Sequence, residues 1–366
     1  MKQEYMLVAG AAALALSNVA VSAPANKKAP VAGRTAPIAT YWMDVTTQSG
    51  FGAGMAAGGQ PNMADIMAMM SGQSPSYSHG LRLRLASRTA APATPQADHL
   101  IPPGLRMGTS LPLVTPARAE PTSAVPVRPQ GRILIYWGCG DRVPAGQPMV
   151  LDVAQLASGK VPESIRRGAA AMGQTRHSYS GPASAPGFGE WPNPRDSRTI
   201  PAGASLIGAH RVAGNYSPPI DFTLGSGQDF MGPMNLADGG AAPSGASLIR
   251  WTPVTAATGY ALALFGANEA GETIMWSSAR NPGFANLDYL TPADAARAVA
   301  AGDALSPATT QCLLPAELAR AVPAGMVMGV AYGPEAHFAE APKDPKWAVT
   351  VRYKSNGSLM RGMQGF

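Results

Sequence analysis

The sequence predicts a mainly β protein of two β-sandwich-like domains, and three observations carry that expectation. Gly (41) and Pro (35) are abundant while charged residues are only 14% of the 366-residue chain, a balance that favours turns over solvated helices. Several segments alternate apolar and polar residues with the two-residue period of a half-buried strand. A turn signature also recurs ahead of apolar runs: PAGQPMVLDV at 144, PAGASLIGAH at 201, PSGASLIRWT at 243 and PAGMVMGVAY at 323. In each, Pro presets φ and the following Gly can take a positive one. The irregular intervals make this shared turn chemistry, not a solenoid repeat.

The start of the chain reads as an export signal. Lys2 precedes the apolar run Met6 to Leu16, and small residues at Ala23 and Ala25 place cleavage after Ala25. The run is too short for a membrane anchor, which needs about 20 apolar residues. A flexible leader follows at 26–40, and then a β-rich N-terminal domain at 41–240.

Within that domain, YWMDVTT (41–47) is expected as a strand with Tyr41, Met43 and Val45 on one face. HGLRLRLAS (79–87) places Leu81, Leu83 and Leu85 inward and Arg82 and Arg84 in water. Between them lies a Gly/Met-rich insertion (51–76), in which Met63, Ile66, Met67 and Met70 fall at helical spacing after Asn62. Residues 88–130 form a Pro-rich linker with an ordered patch at ADHLIPPGLRMG. RILIYWG (132–138) is apolar on both faces and reads as a central strand, with PMVLDV (148–153) as its neighbour.

The domain 241–366 supplies clearer strands at SLIRWTPV, TGYALALFG, ETIMWSS, MVMGVAYG and WAVTVRYK. Trp347, Val349, Val351 and Tyr353 share one face of the last, leaving Thr350, Arg352 and Lys354 to water, and Asn356–Gly357 is a hairpin-turn signal. Thr291, Pro292 and Gly302 bound one short helix, and a second starts from Pro315. The stretch LIRWTPV…TGYALALFG…ETIMWSS resembles fibronectin type III and related immunoglobulin-like sandwiches. Trp251 and Tyr260 stand at that family's core aromatic positions. The resemblance implies an immunoglobulin-like C-terminal domain, here with a short helical insertion, and a role in adhesion or scaffolding. The whole chain resembles exported bacterial proteins.

Four clusters bear on function. Cys139, held between two glycines, and Cys312 are the only cysteines. In an exported protein two cysteines usually pair, while a lone thiolate with a His base would be a nucleophile. Phe188, Glu190, Trp191 and Asp196 sit in a Pro/Gly frame that could grip a sugar, or hold a glycosidase carboxylate pair. The alternative is that Trp191 plugs a hydrophobic gap under a long loop. Met55, Met63, Met67 and Met70 offer soft ligands for Cu(I), or an adaptable apolar face for packing or a partner. No zinc-type spacing, serine elbow or phosphate-binding glycine loop occurs. The net charge of +6 is spread without a basic run, which argues against nucleic acid.

These observations lead to an exported, periplasmic or extracellular protein of a Gram-negative envelope, with a binding or structural role and no cofactor. Its partner would be a protein or glycan, and no transmembrane segment remains after cleavage. The alternatives are a cysteine- or carboxylate-dependent hydrolase and a periplasmic Cu(I)-binding protein.

Overall fold

The computed structural model describes residues 36–51, 53, 77–116, 131–154, 181–341 and 344–362. The export signal, most of the leader, Met55, Met63, Met67 and Met70 of the insertion, and the later part of the linker lie outside the described residues.

The chain is mainly β. The strands are β1 (Ala39–Gly50), β2 (Tyr77–Ser87), β3 (Ala97–Leu100), β4 (Ser110–Pro112), β5 (Arg132–Trp137), β6 (Met149–Asp152), β7 (Gly187–Trp191), β8 (Gly208–Gly214) and β9 (Ile220–Leu224). They continue with β10 (Ala237–Ala241), β11 (Ser247–Arg250), β12 (Gly259–Ala267), β13 (Thr273–Ser277), β14 (Gln311–Leu314), β15 (Gly325–Ala339) and β16 (Trp347–Arg361). Two helices interrupt the second half, α1 (Pro292–Ala301) and α2 (Ala316–Ala321). The signals for α1 act as expected: the Thr291 hydroxyl accepts from the Asp294 N–H, and Gly302 closes the helix at φ 83°.

Nine strands form one sheet in the order β6-β5-β13-β12-β15-β16-β1-β2-β7. A four-stranded sheet β4-β3-β8-β9 and a three-stranded sheet β10-β11-β14 accompany it. Strands from both sides of the boundary expected at 240/241 enter the large sheet. β1 pairs parallel with β16, and β5 pairs parallel with β13, so the two halves share one hydrogen-bonded sheet. Turn composition at 242–246 marks the loop between β10 and β11, but which strands pair is decided by contacts far apart in sequence.

One face of the large sheet holds the principal core. Tyr41, Met43 and Val45 are buried there with Leu81, Leu83 and Leu85 from β2 and Val349, Val351 and Tyr353 from β16, as the alternation predicts. Trp251 and Tyr260 pack in the same core with ring centroids 5.5 Å apart, and the Tyr260 hydroxyl accepts from the Val254 N–H.

Two expectations on β16 and one on β2 need correction. Asn356–Gly357 is not a turn. Both residues lie inside β16, and Gly357 is required by close approach: a Cβ there would meet Leu236 Cγ at 2.9 Å. Arg352 and Arg84, expected in water, are buried, and Lys354 is half-buried. Tyr289 of the loop 278–291 covers Arg352 and Lys354, and the Pro182 carbonyl accepts from Arg84 at 3.2 Å, so both covers are remote in sequence from the residues they meet.

Candidate functional site

The aromatic segment enters the fold as β7, an edge strand. Its antiparallel register on β2 sets Trp191 opposite Leu83, Glu190 opposite Arg84, and Phe188 opposite Ala86. Alternation then turns Trp191 into the core beside Leu83, where it is 0% exposed, and Phe188 is buried as well. Trp191 is thus no stacking platform for a sugar. Its neighbour Glu190 faces the other side and pairs with Arg82 at 3.1 Å. Asp196 is clamped by the Arg198 fork, Nε to Oδ1 at 2.8 Å and Nη2 to Oδ2 at 2.7 Å. That guanidinium holds the Asp196 carboxyl below the ordinary value. A glycosidase needs one carboxyl raised to act as an acid, whereas Arg198 holds Asp196 low. Trp191→Ala should cost about 3–5 kcal/mol by emptying a large core volume. Urea melts measure it, and a loss under about 1 kcal/mol would contradict the buried placement.

Cys139 is bonded to Cys312, with 5.4 Å between the Cα atoms across a sequence separation of 173. Among the described residues no cysteine is free, so neither sulfur offers a thiolate nucleophile. Local geometry explains the first of the flanking glycines. Gly138 turns the chain off β5 at φ 93°, and its carbonyl accepts from the Trp276 indole at 2.8 Å. The Gly140 N–H then donates to the Leu313 carbonyl on β14 at 2.9 Å. The bridge ties the end of β5 in the large sheet to the three-stranded sheet.

The polar face of the large sheet carries a compact charge cluster. Asp44 on β1 binds Arg84 through Nη2 to Oδ2 at 2.7 Å, and Arg352 through Nε to Oδ1 at 2.5 Å. Register accounts for it, since Asp44 stands opposite Arg352 across the parallel β1–β16 ladder. Tyr289, from the covering loop, lies over both the Arg352 guanidinium (4.3 Å) and the Lys354 ammonium (4.5 Å), and its hydroxyl meets Thr46 Oγ1 at 2.6 Å. Lys354 also donates to the Leu287 carbonyl at 3.1 Å and meets Asp288. Burial lowers the Lys354 ammonium while Asp288 opposes that shift. Asp44 bridges the two guanidiniums of this cluster, and its chemistry is that of a structural clasp.

The candidate recognition site lies on the four-stranded sheet. A shallow depression of about 410 Å³ opens over β8 and β9, lined by Leu100, Ile101, His210, Phe222 and the Arg211–Asp221 pair at 3.2 Å. Beneath it runs a buried chain: Tyr41 Oη to His99 Nδ1 at 2.9 Å, His99 Nε2 to His210 Nδ1 at 3.0 Å, and His210 Nε2 to the Leu206 carbonyl at 2.7 Å. His99 and His210 are buried because β3 and β8 alternate them inward. That alternation was present in sequence, but β3 is too short to stand out from the Pro-rich linker around it. The lining of the depression mixes apolar side chains with one exposed ion pair. Among the described residues no group of three or more His, Cys, Asp or Glu side chains could hold a metal ion.

No protein-family model, curated protein or solved structure matches this chain.

Proposed function

We propose that this chain is an exported envelope protein with a binding or structural role. The observation that carries it is the Cys139–Cys312 bridge, because such bridges persist in oxidising compartments such as the periplasm and are rare in the cytosol. Topology adds support. β1, among the first strands made, pairs with β16, the last, so the central sheet cannot close until the whole chain is available. That suits passage across a membrane before folding. The Trp251–Tyr260 packing supports kinship of the C-terminal strands with immunoglobulin-like sandwiches, whose usual roles are adhesion and scaffolding. The depression over β8 and β9 and the Met-rich insertion are the contact surfaces this reading assigns to a protein or glycan partner.

The test is the intact mass of the protein taken from the cell envelope, unreduced and treated with a thiol-alkylating reagent. The expected mass starts at Asn26 with no adduct and gains two adducts after reduction. Alkylation in the native fold, or recovery of the uncleaved chain from the cytosol, would overturn the reading. Reduction should also destabilise the fold, by up to about 5 kcal/mol for so long a closed loop in the chain-entropy model.

A further inference from the structure

The buried chain from Tyr41 to Leu206 has a direction. The Leu206 carbonyl can only accept, so His210 Nε2 must carry a proton and donate to it at 2.7 Å. A neutral His210 then has a bare Nδ1, which accepts from His99 Nε2–H. A neutral His99 in turn has a bare Nδ1, which accepts from the Tyr41 hydroxyl. Every ring nitrogen is used, and both imidazoles are held neutral by geometry.

The chain also spans an interface. Tyr41 belongs to β1 of the nine-stranded sheet, whereas His99 and His210 belong to β3 and β8 of the four-stranded sheet. Stacking reinforces the seam: His210 lies on Phe222 at 5.0 Å, and Phe222 meets Phe338 of β15 at 5.4 Å. His99 sets its edge against Tyr41 at 5.3 Å. The two imidazoles are 0% and 2% exposed, yet His210 lines the open depression, which gives protons a short path inward.

One added proton cannot be absorbed without rearrangement. If His210 keeps its bond to Leu206 and takes the proton on Nδ1, that N–H points at His99 Nε2, which must become bare. The His99 proton then moves to Nδ1 and points at the Tyr41 oxygen. The Tyr41 hydroxyl must turn away, and among the described residues it has no other acceptor. A buried cation and a stranded donor would result, and each is costly away from water.

No carboxylate stands by to neutralise that cation. From β1 the facing group is Tyr41, from β4 it is Leu111 opposite His99, from β9 it is Phe222, and from β15 it is Phe338. Asp98, Arg211 and Asp221 alternate to the outer surface, and Glu335 and His337 lie on the far face of β15. Asp229 is engaged beyond the Leu206 end, accepting from the Ser205 hydroxyl and the Leu206 N–H.

We propose that the Tyr41–His99–His210 relay is an acid-sensitive latch that holds the four-stranded sheet against the central sheet at neutral pH and releases it on protonation. Burial places both imidazoles below their ordinary value, so the folded state binds fewer protons than the unfolded one. The stability they supply is complete above pH of about 6.5, the value of a free histidine, and falls as the pH drops below it.

Two measurements on the full-length, disulfide-bonded protein test this. In hydrogen exchange at pH about 7 and about 5.5, corrected for intrinsic rates, β3, β8 and β9 should lose at least about tenfold more protection than β12 and β13. In His210→Gln the side chain can still donate to Leu206 and accept from His99 but cannot take up a proton. Below pH of about 6, the unfolding constant of the native protein should rise about tenfold more per pH unit than that of H210Q, the signature of one proton. Equal pH slopes, or a uniform change in exchange across the sheets, would overturn the latch. If H210Q does not fold, the exchange comparison on the native chain decides alone.

Discussion

A chain ending at Lys346 is expected to lose cooperative folding altogether. β16 lies between β15 and β1 in the middle of the nine-stranded sheet, so its removal leaves two unpaired strand edges where a continuous ladder stood. Trp347, Val349, Val351 and Tyr353 would leave the core with it. At about 1.5–3 kcal/mol for each large apolar side chain, the loss is comparable with the entire stability of about 5–15 kcal/mol typical of a folded domain. The remaining strands cannot compensate, because β1 keeps only β2 as a neighbour and β15 keeps only β12. Near-ultraviolet circular dichroism and a urea titration measure the outcome. A cooperative transition in the shortened chain would mean that the parallel β1–β16 pairing is dispensable.

Asp44→Ala should destabilise by about 3–5 kcal/mol, the cost of breaking a buried ion pair by removing one partner. The carboxylate holds two guanidiniums, Arg84 and Arg352, and all three side chains are at most 8% exposed. Without it, two cations remain in a site covered by Tyr289 and flanked by Lys354. The informative control replaces the whole triad, Asp44→Leu with Arg84→Met and Arg352→Met. A buried triad exchanged for apolar groups of similar volume is often neutral or stabilising. The single variant should therefore be much less stable than the triple one, by denaturant melts at neutral pH. A single variant within about 1 kcal/mol of the native chain would remove the clasp from the account of stability.

Both experiments bear on features that differed in legibility. The inward faces of β1, β2 and β16 could be read directly, because a two-residue period survives whatever the strand pairs with. The bounds of α1 could be read as well, since Thr291, Pro292 and Gly302 act on the backbone next to them. The disulfide was legible because the chain holds two cysteines and its start reads as an export signal. The polar faces were legible only in their alternation. Arg84, Arg352 and Lys354 alternate as a solvent face would, and the residue that covers two of them, Tyr289, lies more than 60 positions away from each.

The candidate site divides in the same way. Phe188, Glu190, Trp191 and Asp196 are neighbours in sequence, but a strand sends Trp191 to the core and Glu190 to the opposite face, so they form no common surface. Tyr41, His99 and His210 are separated by 58 and 111 positions and meet within hydrogen-bond distance. No local pattern carries that information.

By itself, then, the sequence determined the β class, the core-facing side of each strong strand, the helix ends and the pair of cysteines, all of which follow from local periodicity, caps and composition. The tertiary structure alone decided that first and last strands pair in parallel across one sheet, that a charged face is buried, and that two histidines and a tyrosine form a relay. The physical reason is shared. Main-chain ladders are indifferent to residue identity, and long-range contacts leave no periodic trace in the segments that make them.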